Sequence, residues 1–189
     1  MLERYKFVLS LVWNILSKPD ATLRYEALLN TFYMKNVFKN FIMPLAEILF
    51  SVVFITSLLY SEINIAIAIV KSIFNLLSFA VGYGALFLLI RWVTLRFFVD
   101  AIEDRNIAMF VGVLMSLVFS VNVLQALFPN LFFVSFLYIY VFYLVWVMSE
   151  GVVDISEDMR NKYMGLVSIL VFVLPFVLGK LLNMLVPNL

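Results

Sequence analysis

The sequence has no cysteine and no histidine. The first absence removes disulfides, thiolate nucleophiles and any report on redox compartment, and the second removes imidazole bases. Together they take away most transition-metal sites and every serine–histidine or cysteine–histidine mechanism. Charge is also scarce. Only 13 % of the 189 residues are charged, against about a quarter in an ordinary soluble domain. The net charge of +1 provides no basic excess to neutralise phosphates, so no nucleic-acid partner is expected. There is no Walker loop, HExxH or GxSxG, and no serine stands beside an obvious lysine partner. No cofactor, metal or catalytic residue is implied. The first twenty residues mix acid and bases and lack a sustained apolar run, so no signal peptide is expected. Without cysteine, prenylation and palmitoylation are excluded too.

What the chain does have is apolar length. It is 65 % hydrophobic, with a mean hydropathy of +1.09. A chain this apolar reads as an integral membrane protein, a single body in one bilayer. Five runs approach or exceed the roughly 20 residues needed to cross about 30 Å of hydrocarbon: residues 41–60, 66–90, 107–128, 131–149 and 163–186. The expected fold is therefore all-α, a polytopic bundle of five transmembrane helices preceded by one or two N-terminal amphipathic or interfacial helices. Residues 1–40 form the cytoplasmic or interfacial segment and residues 41–189 the bundle.

Residues 1–17 carry Leu2, Tyr5, Leu9, Val12 and Leu16 at helical spacing, with Val8 and Ile15 beside them. Such a helix either lies on lipid or packs on the protein's own spans. Ser17-Lys18-Pro19-Asp20 breaks and restarts it, with Ser17 and Asp20 spaced as a capping box. A second helix is expected from Pro19 to about Asn40. Pro129-Asn130 leaves room only for a tight hairpin, and Ser61–Ile65 makes another short loop. Glu103 with Asp104, and Ser156 with Glu157 and Asp158, stand where helices begin and favour the positive end of the helix dipole.

The bases give a direction. With the N-terminus in the cytoplasm, Arg4, Lys6, Lys18, Arg24, Lys35, Lys39, Arg91, Arg96, Arg105, Arg160 and Lys162 fall inside. Only Lys71 and Lys180 fall outside. The positive-inside rule then implies N-in and C-out in a cell (inner) membrane.

Polar residues within spans are the candidate functional groups. Glu47 lies six residues past the inner end of the first span, about 9 Å deep at 1.5 Å per residue. Gly84 and Tyr143 lie at a similar level, so Tyr83, Tyr143 or Arg91 could satisfy it. The functional reading is a proton or cation site, which would suit a small transporter or channel. The structural one is a pinned acid. Lys71, Asn75, Asn122, Gln125 and Lys180 form a second layer nearer the outer face. They either line a shallow cavity or snorkel and bond across helices. Ser78 with Gly82, Ala80 with Gly84, and Gly112 with Ser116 and Ser120 form small-residue ridges that admit close helix packing. An enzyme acting on lipid would need a nucleophile–base pair that is not apparent.

The order of features carries a resemblance. Trp13 is followed by Lys18-Pro19-Asp20, a basic helix leading to Pro44-Leu45, the Pro129 hairpin, a tyrosine-rich run Tyr138–Tyr143 into Glu150-Gly151, and the stretch Glu157–Tyr163. Over nearly its whole length this resembles the Yip1 family, specifically its short bacterial members. The resemblance implies a five-span bundle with a cytoplasmic N-terminus and, for the short bacterial members, no settled molecular role. The packing ridges, the charged inner surface and the missing catalytic set lead to the expectation of a non-enzymatic role through protein or lipid interactions. Membrane lipids, a second copy or another membrane protein would be the partners. Family members in eukaryotes serve vesicle traffic and bind prenylated small GTPases. No functional residues are carried over.

Overall fold

The computed structural model describes residues 2–24, 37–60 and 65–185. Every regular element in them is helical. Helix α1 is Leu2–Ser17 and α2 is Pro19–Arg24. A π-helical turn, Phe38–Ile42, leads into α3, Met43–Tyr60. Helix α4 is Ile65–Phe97 and α5 is Asp104–Leu127. A 3-10 helix, Phe132–Ile139, runs into α6, Tyr140–Gly151, and α7 is Glu157–Leu185.

Four helical stretches among the described residues are long and apolar enough to cross a bilayer: Phe38–Leu59, Ile65–Phe97, Asp104–Leu127 and Phe132–Gly151. The protein is thus an all-α polytopic membrane bundle with additional helices outside those four. Residues 25–36, which hold the middle of the expected second helix, lie outside the described residues. So do most of the short loop before α4, the end of the fifth expected span and the side chain of Lys180.

Helix α5 is the axis of the bundle. In it 72 % of the most apolar 18-residue window is buried, against 44 % or less in the other three. Helices α1, α3, α4, α6 and the 3-10 helix all pack on it. Its small-residue ridge does more than admit neighbours. The Ser116 hydroxyl donates to the Gly112 carbonyl at 3.1 Å, and that of Ser120 to the Ser116 carbonyl at 2.9 Å. Each serine therefore satisfies its polar atom within its own helix, a requirement where no water is present.

The connections follow local chemistry. Pro19 has no N–H, so α1 cannot continue through it. Thr22 ties the break from the other side, its hydroxyl reaching the Asn14 and Lys18 carbonyls at 2.9 and 2.7 Å. The capping box expected of Ser17 and Asp20 does not describe this junction. Ser17 ends α1, and the Asp20 carboxylate accepts a bond from Tyr143 instead. The Pro129-Asn130 hairpin is present, closed by the Leu131 N–H on the Phe128 carbonyl at 3.0 Å.

The stretch that follows the hairpin is wound as a 3-10 helix for eight residues, longer than such runs usually are. At about 2.0 Å rise against 1.5 Å, the 20 residues from Phe132 to Gly151 reach about 34 Å rather than 30 Å. A segment short for a span thereby gains length. Helix α7 starts at Glu157 behind Ser156. The Ser156 hydroxyl bonded to Asp158, helped by backbone N–H groups of the first turn, holds that carboxyl below its ordinary value. This is the expected capping role. At α5 the outcome differs. Glu103 occupies the N-cap without a side-chain bond, and Asp104 serves Arg91.

Candidate functional site

The N-terminal helix packs on the bundle. Val8, Leu11, Val12 and Ile15 are buried, at i, i+3, i+4 and i+7, and define one face. Phe7, Leu9 and Trp13 remain exposed, Trp13 by 72 %. The buried stripe is thus rotated from the one centred on Leu9 and Leu16. Leu9 faces out, and Leu11 faces in.

Polar bonds fasten this helix at both ends. The Tyr5 hydroxyl donates to Glu47 Oε2 on α3 at 2.7 Å. Arg4 donates to the Lys39 carbonyl in the π-helical turn below it. At the other end the Tyr140 hydroxyl donates to the Leu16 carbonyl at 2.9 Å, and Tyr143 to Asp20 Oδ2 at 3.0 Å. Residues 5 and 16 are about 16 Å apart along a helix. Their anchors stand on α3 and α6, with α5 between them. Helix α1 is therefore a strut fixed to two different spans.

The partners of Glu47 are where sequence spacing misled. Tyr143, matched to it in depth, bonds Asp20. Tyr83 is buried against the Phe38 ring, with centroids 5.9 Å apart. The Arg91 Nε donates to Asp104 Oδ1 at 2.6 Å across the α4–α5 turn. The tyrosine that meets Glu47 comes from a helix outside the spans. An aromatic hydroxyl near the N-terminus of an amphipathic helix was the only available hint. The Glu47 bond pushes the Tyr5 hydroxyl above its ordinary value of 10.0, so at neutral pH it is a donor.

Two further polar contacts lie near the ends of α5, α6 and α7. Arg160 donates to Glu150 Oε2 at 3.0 Å and places its guanidinium 5.2 Å from the centre of the Trp146 ring. Asn106 of α5 donates to the Val152 carbonyl at 3.3 Å, coupling the loops on either side of α5 and α6. Deeper in, the hydroxyls of Thr94 and Tyr163 share a hydrogen bond of 3.0 Å in a fully buried position.

The second polar layer divides. Asn75 and Asn122 face one cavity of about 50 Å³ between α4, α5 and α7, with Ser78 and Gly82. Gln125 turns away and donates to the Ser135 hydroxyl of the 3-10 helix at 3.0 Å. Lys71 is exposed, and its carbonyl accepts the Asn75 amide at 3.0 Å. The glycine ridges on α4 are looser than their spacing suggests. A Cβ on Gly82 would meet only Leu178 at an ordinary 3.6 Å, and one on Gly84 would meet nothing within 4 Å. Gly112 lies buried in α5.

Among the described residues no three acidic, histidine or cysteine side chains gather as metal ligands. The molecule is a polytopic membrane protein without an obvious catalytic or metal-binding set. No protein family, curated protein or solved structure matches the chain.

Proposed function

We propose that this is a non-enzymatic integral membrane protein of Yip1 type that works through protein or lipid contacts, with the N-terminal strut as its working surface. The observation that carries the reading is the Tyr5–Glu47 bond. It engages the one carboxylate within the first span in holding α1, so Glu47 acts as a structural acid rather than a station on an ion path. The exposed aromatic edge of α1, Phe7 and Trp13, is then left for lipid headgroups or a neighbouring protein.

The topology proposed with it has five spans, α7 being the fifth. Its 29 residues reach about 43 Å at 1.5 Å each. The basic residues set α1, the α4–α5 turn and the α6–α7 loop on the cytoplasmic side of a bacterial inner membrane. The bond between Asn106 and Val152 supports this arrangement, because it brings both loops to one end.

Two measurements on the full chain test the reading. A photo-crosslinking residue at Trp13 should form adducts with lipid or with a membrane protein in native membranes. Proton flux through proteoliposomes should be the same for wild type and Glu47→Gln. Flux that the wild type supports and Glu47→Gln abolishes would establish the transporter reading instead.

A further inference from the structure

The cavity between α4, α5 and α7 plays no part in the strut. One face of α4 supplies Asn75, Ser78 and Gly82, and α5 supplies Asn122. Leu174 and Leu178 of α7 close it with apolar surface. At about 50 Å³ it exceeds the 10–15 Å³ or so that one water needs. The polar groups that line it among the described residues are all neutral. The Asn75 amide nitrogen is directed to its own helix, which leaves the side-chain carbonyl oxygen. Ser78 and Asn122 have no side-chain partner among the described residues. In hydrocarbon an unsatisfied amide or hydroxyl costs several kcal/mol, so a polar guest that bonds them is favoured. A charged guest is not, because no lining side chain among the described residues carries a compensating charge.

We propose that this cavity is a hydrated binding pocket for a small uncharged molecule that both donates and accepts hydrogen bonds, of the amide or polyol class. Apolar walls with a few converging polar groups are the usual makeup of a small-molecule site. Asn122 offers a donor pair and an acceptor, Ser78 one of each, and Asn75 an acceptor. Gly82 keeps the α7 side of the pocket open, since a side chain there would project toward Leu178.

The lack of cysteine makes the test direct. Thiols react with methanethiosulfonates as thiolates, which form only where water reaches them. In proteoliposomes, Ser78→Cys should react with neutral hydroxyethyl methanethiosulfonate at least tenfold faster than two references. These are Leu77→Cys on the exposed side of α4 and Leu114→Cys in the packed core. Cationic and anionic reagents should be at least tenfold slower at Ser78→Cys than the neutral one. Acetamide should slow the neutral reaction twofold or more, and tetramethylammonium at the same concentration should not. Asn122→Cys is read against the same references if Ser78→Cys fails to elute like wild type. A rate no faster than Leu114→Cys would mean a dry, packed seam and overturn the proposal. Equal rates with charged reagents would mean an open ion path and overturn its neutrality. A fast reaction that acetamide leaves unchanged would mean water alone, and overturn the ligand site.

Discussion

Tyr5 and Glu47, 42 positions apart in the chain, are joined by a 2.7 Å hydrogen bond that fixes the N-terminal helix to the first span. The bond gives a membrane-embedded carboxylate a donor that does not come from the membrane. At that end of α1 it stands beside the bond from Arg4 to the Lys39 carbonyl.

Tyr5→Phe should loosen the strut. The loss is read as faster hydrogen exchange in α1 with exchange in α5 unchanged. Glu47→Gln keeps an acceptor and should have a smaller effect than Glu47→Leu. The pH dependence has a definite sign. Because the Tyr5 pKa is raised above its ordinary 10.0, the contribution is complete below pH 10. It is lost as pH rises through the higher folded value. Exchange in α1 that does not respond to alkaline pH would separate Tyr5 from the docking of the helix.

The buried pair Thr94–Tyr163 should be sensitive to size more than to polarity. Tyr163 is fully buried, with its ring edge-on to Phe98 at a centroid distance of 5.0 Å. Tyr163→Phe removes one bond, and Thr94 can still turn to its own helix, so about 1 kcal/mol is expected. Tyr163→Ala should cost about 3–5 kcal/mol. Thermal unfolding in detergent distinguishes them, and equal losses would show that the hydroxyl dominates.

Arg160 should not be replaceable by lysine. Its guanidinium both pairs with Glu150 and lies over Trp146, and the side chain is only 11 % exposed. A lysine keeps the charge but not the planar contact. Arg160→Lys and Arg160→Ala should each lower stability, Arg160→Ala by about 1–2 kcal/mol. A double-mutant cycle with Trp146→Leu measures the coupling, and zero coupling would remove the stacking contribution.

Asp154 adopts φ 58°, in the left-handed region, between α6 and α7. Aspartate tolerates this conformation and glycine does so at no steric cost. Asp154→Gly should therefore be close to neutral, and Asp154→Val should cost about 1–2 kcal/mol. If both variants melt like wild type, the loop does not depend on this residue.

Much of the fold was legible in the residues. Four of the five long apolar runs, the break at Pro19 and the Pro129 hairpin appear in the structure, the second run continuing as helix to Phe97. These features depend on quantities that a linear chain carries by itself. Transfer into lipid sums over a whole segment, and a missing N–H acts wherever the proline stands. The buried face of α1 was less legible, because its apolar residues surround more than one side and only packing selects Leu11 over Leu9.

Partnership within the bundle was decided by the tertiary structure alone. Depth along a span follows from counting residues, and that count gives Glu47 and Tyr143 a similar level. They do not meet, because each turns to a different end of the N-terminal pair. Arg91 likewise turns to Asp104, and Asn122 faces the cavity that Asn75 also lines while Gln125 bonds Ser135. Such choices depend on the order of helices around α5 and on the rotation of each about its axis. Where lipid is apolar on every side, hydropathy specifies neither, and only the packed helices do.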